Sequence, residues 1–314
     1  MRFNAQEITG SRVGIQHMPL NNQELTGSRV GIRYAVELTY EVDGPAEFLI
    51  NVHAATTPRQ TVSEERFSVQ PASSFTVDAD PATGNRIAAF HGDVGTVRAT
   101  YSALVHIMHD VRNPSAVVVE SPAALPVRTL RFLYPSRYCQ TDLVMQAAWD
   151  QFGTLPRGYA QAAAVRDWVE ASVRFAPGAS STCTSVLDTL RDRAGVCRDF
   201  AHVMIAYCRA LNYPARFVTG VDYGAAPALG PPDFHAYVEV FVGGAWFLFD
   251  PTGISPVTGL IRIGTGRDAA DVSFATIFGP VRTGMPRVTV SAVDDPAGGM
   301  LPPVTTLLAV STAD

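Results

Sequence analysis

Gly195-Val196-Cys197-Arg198-Asp199-Phe200-Ala201-His202 opens a run in which Phe200, Val203, Met204, Tyr207, Cys208 and Leu211 recur at intervals of three and four. That spacing predicts a helix from Cys197 to Leu211, closed by Asn212 and Pro214. Cys197 shares a face with Phe200 and Met204, so its thiol points toward the protein body. A helix N-terminus carries partial positive charge, which favours thiolate over thiol. Its unbonded first-turn N–H groups can also hold a developing oxyanion. These are the two requirements of a nucleophile. The local sequence is equally consistent with a buried structural cysteine, so the reading turns on whether a base is brought to it.

His202 is nearest in sequence, but five residues along a helix is about 140° around its axis, which turns it away from Cys197. It reads as a partly exposed or internally satisfied histidine. His235 is better placed. It begins His235-Ala236-Tyr237-Val238-Glu239-Val240, and Gly243-Gly244 signals a two-residue hairpin turn. With those glycines as the turn, Phe249 pairs with Val238, and Asp250 becomes the diagonal neighbour of His235 on one sheet face. Diagonal pairs lie about 7–8 Å apart at the backbone, within reach of a carboxylate and an imidazole. A one-residue change in the turn would reverse that facing. An aspartate beside one ring nitrogen fixes the tautomer and leaves the other nitrogen for a thiol. The candidate catalytic set is therefore Cys197, His235 and Asp250.

Outward from this core, 142–152 and 159–173 have the period of amphipathic helices, and Thr184 is placed to cap a short helix ending near Arg193. Strands are predicted at 216–220, 236–242 and 245–249. Between Arg33 and Arg128 the pattern changes to short β-branched and aromatic runs, at 34–40, 47–52, 96–101 and 116–120, separated by Gly, Pro, Asp and Asn. That is the signature of an antiparallel β domain. Before it, Gln6–Ile15 returns with one change as Gln23–Ile32. Two copies are too few for a solenoid, leaving a pair of matching edge strands or a local duplication. The expected organisation is a duplicated segment at 1–32, a β-rich domain at 33–128, a catalytic domain at 129–290 and a tail at 291–314, with a strand signal at 287–293.

Composition narrows the function. Hydrophobic residues make up 47% of the 314 and charged residues 17%, with a net charge of -5. This suits a globular chain with a large interior, with room for contacts between identical copies. The absence of any dense basic run argues against nucleic acid as a partner. There is no apolar run of transmembrane length and no signal-peptide pattern at the start, so no membrane partner is expected and the cytoplasm is the default location. The four cysteines, Cys139, Cys183, Cys197 and Cys208, are too few and scattered for a disulfide framework, and no CxxC pair offers zinc a site. His106 and His109 lie three apart on an apparent strand and so face opposite sides. Gly264-Thr265-Gly266-Arg267-Asp268-Ala269 superficially matches a dinucleotide fingerprint but lacks the chain needed for a βαβ unit. Arg267, Asp268 and Asp271 read instead as an ion-pair and capping cluster. Asp199 reads as satisfying first-turn N–H groups or orienting the site, and Arg198 as a solvated arginine or a guide for a substrate carboxylate.

The stretches Gly195–His202, Phe234–Val240 and Phe249-Asp250-Pro251-Thr252 together resemble the core signature of the bacterial transglutaminase-like superfamily, often described as cysteine proteases. Pro135–Cys139 and Gly266–Val272 are similar to further family stretches, and the likeness runs from about Arg33 to Val281. The resemblance implies an α+β fold, with a papain-like, transglutaminase-like core behind an antiparallel β-rich N-terminal domain. It implies Cys197, His235 and Asp250 as the triad, with no metal or cofactor in the chemistry. The expected activity is acyl transfer at a peptide or protein amide through a thioester, ending in hydrolysis or transamidation. Two alternatives are arylamine N-acetyltransferase-type chemistry, which uses the same residue order, and a binding module that keeps the fold without catalysis.

Overall fold

The computed structural model describes residues 29–225 and 232–312. Of the duplicated opening, only Arg29–Ile32 of the second copy falls inside these, so the reading of the repeat as paired edge strands lies outside the described residues.

Strict alternation builds the N-terminal half. Strand β1 (Arg29–Val42) buries Val30, Ile32, Tyr34, Val36, Leu38, Tyr40 and Val42 on one face. It is followed by β2 (Ala46–Ile50), β3 (Gln60–Gln70), β4 (Phe75–Ala79), β5 (Arg86–Gly92), β6 (Gly95–Met108) and β7 (Asp110–Arg112). β1 and β6 pair antiparallel along their whole length, with β3 on the far side of β6. β2, β5 and β4 form part of a second sheet. Apolar faces at period two must be covered, and here they share one core in which Phe48 stacks on Phe90 at 4.9 Å and lies 5.0 Å from Tyr40.

The expected strand at 116–120 does not form. Asn113 caps a 3-10 turn at Pro114–Ala116, its side chain accepting from the Ser115 N–H at 3.0 Å. The β-branched run that follows lies as loop, with Val117 buried in the core of the second half. Burial on one side, with no strand beside it, was enough to produce the same residue pattern.

The second half contains α1 (Val127–Leu130), α2 (Thr141–Phe152), α3 (Tyr159–Ser172), β8 (Arg174–Phe175), α4 (Val186–Asp192), β9 (Ala194–Gly195) and α5 (Cys197–Ala210). Helix α4 starts one residue later than Thr184 suggests. Ser185 is its cap, because the carboxylate of Asp188, three residues on, can accept from the Ser185 N–H at 3.0 Å. Strands β10 (Ala215–Asp222), β11 (Phe234–Val242), β12 (Ala245–Phe249) and β13 (Leu260–Gly266) make an antiparallel sheet in the order β12-β11-β10-β13. Every residue of α5 from Asp199 to Ala210 is buried, not only one stripe. The helix is enclosed by this sheet and by α2, α3 and α4. Arg209 can be buried at its end because its guanidinium donates to the carbonyls of Ala215, Tyr134 and Arg267 and to the Ser136 hydroxyl.

The chain then returns to where it began. β14 (Ala275–Phe278) adds to β2, while β15 (Val281–Thr283), β16 (Arg287–Val293) and β17 (Met300–Leu301) pair with β1, and β18 (Ala309–Ser311) pairs with β7. The strand signal at 287–293 is therefore β16, lying against β1 from Gly31 to Glu37. β16 runs across the expected segment boundary at 290. Residues 275–301 complete the N-terminal sheets, a pairing between distant segments that local pattern does not record. Gln60, which exchanges hydrogen bonds of 2.8 and 2.9 Å with the Arg262 backbone, and Asn85, which does so with Thr265 at 2.8 and 3.0 Å, stitch the two halves together.

Candidate active site

Cys197 is the first residue of α5 and is half-buried at the edge of the core. The turn ahead of it is tightly built. Val196 is extended, and its N–H donates to Asp199 at 2.8 Å, so a fully buried carboxylate satisfies the helix start. Gly195 makes room for that carboxylate, since a Cβ there would stand 2.7 Å from the Asp199 Cβ. β9 is held parallel to β8, with the Ala176 N–H donating to the Gly195 carbonyl at 2.9 Å. The N–H groups of Cys197 and Arg198 are first-turn donors, which have no acceptor within their own helix. Of the two readings of Asp199, the structural one describes its contacts. Arg198 is not a solvated side chain, because its guanidinium donates to the Ser181 carbonyl at 2.6 Å and contacts Asp199 at 3.2 Å.

The hairpin has the anticipated register. Gly243 and Gly244 both adopt positive φ, 62° and 77°, as a tight two-residue turn requires, and Val238 pairs with Phe249. Asp250 follows the last residue of β12, and its Oδ2 lies 3.2 Å from the His235 Nε2. That contact is close in distance but falls short of hydrogen-bond geometry, so charge carries most of it. Both groups are buried, His235 at 5% exposure and Asp250 at 3%. Burial pulls the imidazole pKa down, but the Asp250 carboxylate first, and Cys197 after it, hold it well above the ordinary 6.5. Burial pushes the Asp250 carboxyl up, while His235 and Thr252 hold it below the usual carboxylate range. Nε2 is turned to Asp250, and Nδ1 lies on the other side of the ring.

Other residues singled out in the sequence fall outside this group. His202 is fully buried, stacks on Tyr138 at 5.0 Å and accepts from the Ala269 N–H at 3.2 Å. Burial pushes its pKa well below 6.5, so it is a neutral packing residue. Asp268 accepts from the Tyr138 and Ala270 N–H groups, both at 2.9 Å, and Arg267 pairs with Asp271 at 2.9 Å. Among the described residues, no three His, Cys, Asp or Glu side chains stand together as a metal site.

Sequence reasoning missed the loop that grips Asp250. The Thr252 hydroxyl and N–H both donate to Oδ1, at 2.6 and 3.0 Å, and the Ser255 N–H donates to Oδ2 at 3.3 Å. Asp-x-Thr is a spacing at which an aspartate commonly bonds the backbone two residues on, so the signal was available.

Two family models match the chain. The transglutaminase-like superfamily covers residues 147–251, which contain Cys197, His235 and Asp250, and the bacterial transglutaminase N-terminal domain covers residues 31–121. A solved structure from Cytophaga hutchinsonii, described as a "Putative Cysteine Protease", is 34% identical with a TM-score of 0.83, over 90% of this chain and 97% of that one. An uncharacterized protein of Mycobacterium leprae, ML0607, is 34% identical over 111 residues, a match spanning 34% of this chain and 39% of that protein.

Proposed function

The chain belongs to the bacterial transglutaminase-like superfamily, and from that membership we propose that it is a thiol-dependent acyl-transfer enzyme acting on peptide or protein amides. Cys197 is the nucleophile, His235 the proton carrier and Asp250 the group that holds it. The observation that supports this is the buried imidazole of His235 with the Asp250 carboxylate 3.2 Å away, and a half-buried thiol opening α5 in the same matched region. The relative from Cytophaga hutchinsonii, described as a "Putative Cysteine Protease", supports the same reading.

In this scheme the sulfur of Cys197 attacks the amide carbonyl, and its proton resides on His235 Nδ1. The oxyanion accepts hydrogen bonds from the first-turn N–H groups of α5; one such donor is worth about 10²–10³ in kcat in comparable sites. His235 then protonates the leaving amine, the C–N bond breaks and a thioester remains. A water, deprotonated by the now neutral His235, attacks the thioester and releases the carboxylic acid and the thiol. An amine in place of water would give transamidation, and the proposal is hydrolysis.

The test is to incubate the protein with a peptide library and trap the acyl group on Cys197 by acid quench and mass spectrometry. The sequence contains no lysine, all 24 of its basic side chains being arginine. Added lysine peptides can therefore be scored as acceptors with no lysine side chain of the enzyme competing. A free acid as sole product supports hydrolysis, an isopeptide identifies transamidation, and no thioester with any peptide counts against the enzyme reading.

A further inference from the structure

The inference concerns Thr252 and rests on the acyl-transfer reading of the same site. An ionised carboxylate offers about four lone-pair directions. At Asp250, Oδ1 takes two donors from Thr252, at 2.6 and 3.0 Å, and Oδ2 takes the Ser255 N–H at 3.3 Å. One direction on Oδ2 is left, and His235 Nε2 lies 3.2 Å from that oxygen. The Thr252 hydroxyl has little choice of direction, because its oxygen already accepts from the Ile254 N–H at 3.3 Å. Its proton is thereby committed to Asp250.

The loop that carries Thr252 is itself moored at two points. The Ser255 hydroxyl donates to Asp222 at the end of β10. Gly253, at φ 65°, lies against Glu170 of α3, so closely that a Cβ there would come within 2.6 Å of the Glu170 Oε1. Thr252 thus presses on Asp250 from a fixed frame.

We propose that Thr252 is a positioning residue, whose hydroxyl stops the Asp250 carboxylate from rotating and so keeps Oδ2 turned toward His235. The chemistry at Cys197 then depends on a hydroxyl that touches neither substrate nor thiol. Without it, Oδ1 keeps only the Thr252 N–H, the carboxylate gains a free lone pair, and rotation about its Cβ–Cγ bond carries Oδ2 away from Nε2.

The experiment compares Thr252→Val, which keeps the branched shape and removes the O–H, with Thr252→Ser, which keeps the O–H. Two readouts are taken on the full chain. The first is kcat and KM with an amide substrate. The second is the titration of the His235 ring by proton–nitrogen NMR, which needs no activity. Among the described residues the charged and titratable groups that act on the imidazole are Asp250 and Cys197 of α5, with Asp222 and Glu170 against the Thr252 loop and Asp233 two residues before His235 in the chain. All are present in both variants, so a shift of Thr252→Val that Thr252→Ser lacks reports the hydroxyl, and Thr252→Ser controls for the lost methyl.

The expected result for Thr252→Val is kcat lower by about tenfold or more, as for outer residues that orient a catalytic histidine. KM should change little, and His235 should titrate at lower pH. Thr252→Ser should stay close to the unmodified protein in both readouts. Two outcomes overturn the proposal: valine and serine variants that both titrate like the unmodified protein, or variants that lose activity equally while His235 titrates unchanged. If His235→Ala retains activity, the acyl-transfer reading has failed instead, and the NMR titration still decides whether Thr252 holds Asp250.

Discussion

Gly195→Ala should be costly for a reason that a second mutation can isolate. Gly195 is not among the residues with positive φ, so alanine introduces no backbone strain. What it introduces is a methyl group 2.7 Å from the Asp199 Cβ and 2.8 Å from its Oδ2. Asp199 is fully buried, so its carboxylate cannot swing into water. It can only give up the 2.8 Å bond from the Val196 N–H or the 3.2 Å contact with Arg198. A hydrogen bond to a charged group contributes about 1.5–3 kcal/mol, which sets the expected loss near 2–3 kcal/mol, since the backbone can relax only by moving the start of α5. The assay is urea unfolding of Gly195→Ala, Asp199→Ala and the double variant. With Asp199 cut back to alanine the new methyl has far less to strike, so Gly195→Ala should cost little in that background. The coupling energy should approach the whole of the single-mutant effect. Strictly additive losses would refute the reasoning, because they would mean the methyl and the carboxylate never meet. Activity should fall further than stability suggests, since a displacement of about 1 Å at a nucleophile can cost about 10²-fold.

Cys197→Ala and Cys197→Ser should abolish acyl transfer while leaving the unfolding midpoint nearly unchanged, whereas alanine at the exposed Cys183 should leave turnover intact; a peptide-cleavage assay with unfolding curves checks both. Asp250→Asn should impair turnover less than His235→Ala in single-turnover measurements, because the imidazole survives. The same pair gives a pH signature in urea midpoints. His235, with its pKa raised above 6.5, contributes stability that is full below about 6.5 and lost as pH rises through its folded value. Asp250, with its pKa depressed below 3.8, contributes stability that is present above 3.8 and lost as pH falls through its folded value. Asp250→Asn should therefore destabilise near neutral pH and converge with the unmodified protein in acid. Glu239→Leu should cost about 3–5 kcal/mol, because Glu239 is fully buried between Arg216, at 2.5 Å, and Arg262; a loss under about 1 kcal/mol would place that cluster in the class of exposed pairs.

The start of α5 and the His235–Asp250 contact were legible because each rested on a local rule. Cys197 was visible from apolar spacing and helix-start chemistry. The facing of His235 and Asp250 followed from a two-residue glycine turn, which sets the register of everything beyond it. Helix α5 was legible in extent but not in depth, since its full enclosure depends on α2, α3 and α4 arriving from elsewhere. The loop at 116–120 shows the converse, where β-branched residues report burial and not strand. Thr184 and Ser185 are chemically alike as caps, and only the offset to Asp188 separates them. The grip of Thr252 on Asp250 rests on the Asp-x-Thr spacing, which resembles a family motif and also supplies two donors.

The return of the chain to β1 governs the order in which the protein can be made. β1 is among the first described segments to emerge during synthesis, yet β15, β16 and β17, which lie against it, are among the last. Until they arrive, β1 offers an unpaired edge of backbone donors and acceptors, the kind of surface on which chains join one another. Helix α5 and the His235 hairpin are complete well before that edge is closed. A chain ending near residue 270 would thus hold its candidate thiol, base and carboxylate while still lacking a finished sheet. A fragment ending there should be more prone to aggregation than to inactivity, so expression failures of shortened chains would report on the sheet and not on the chemistry.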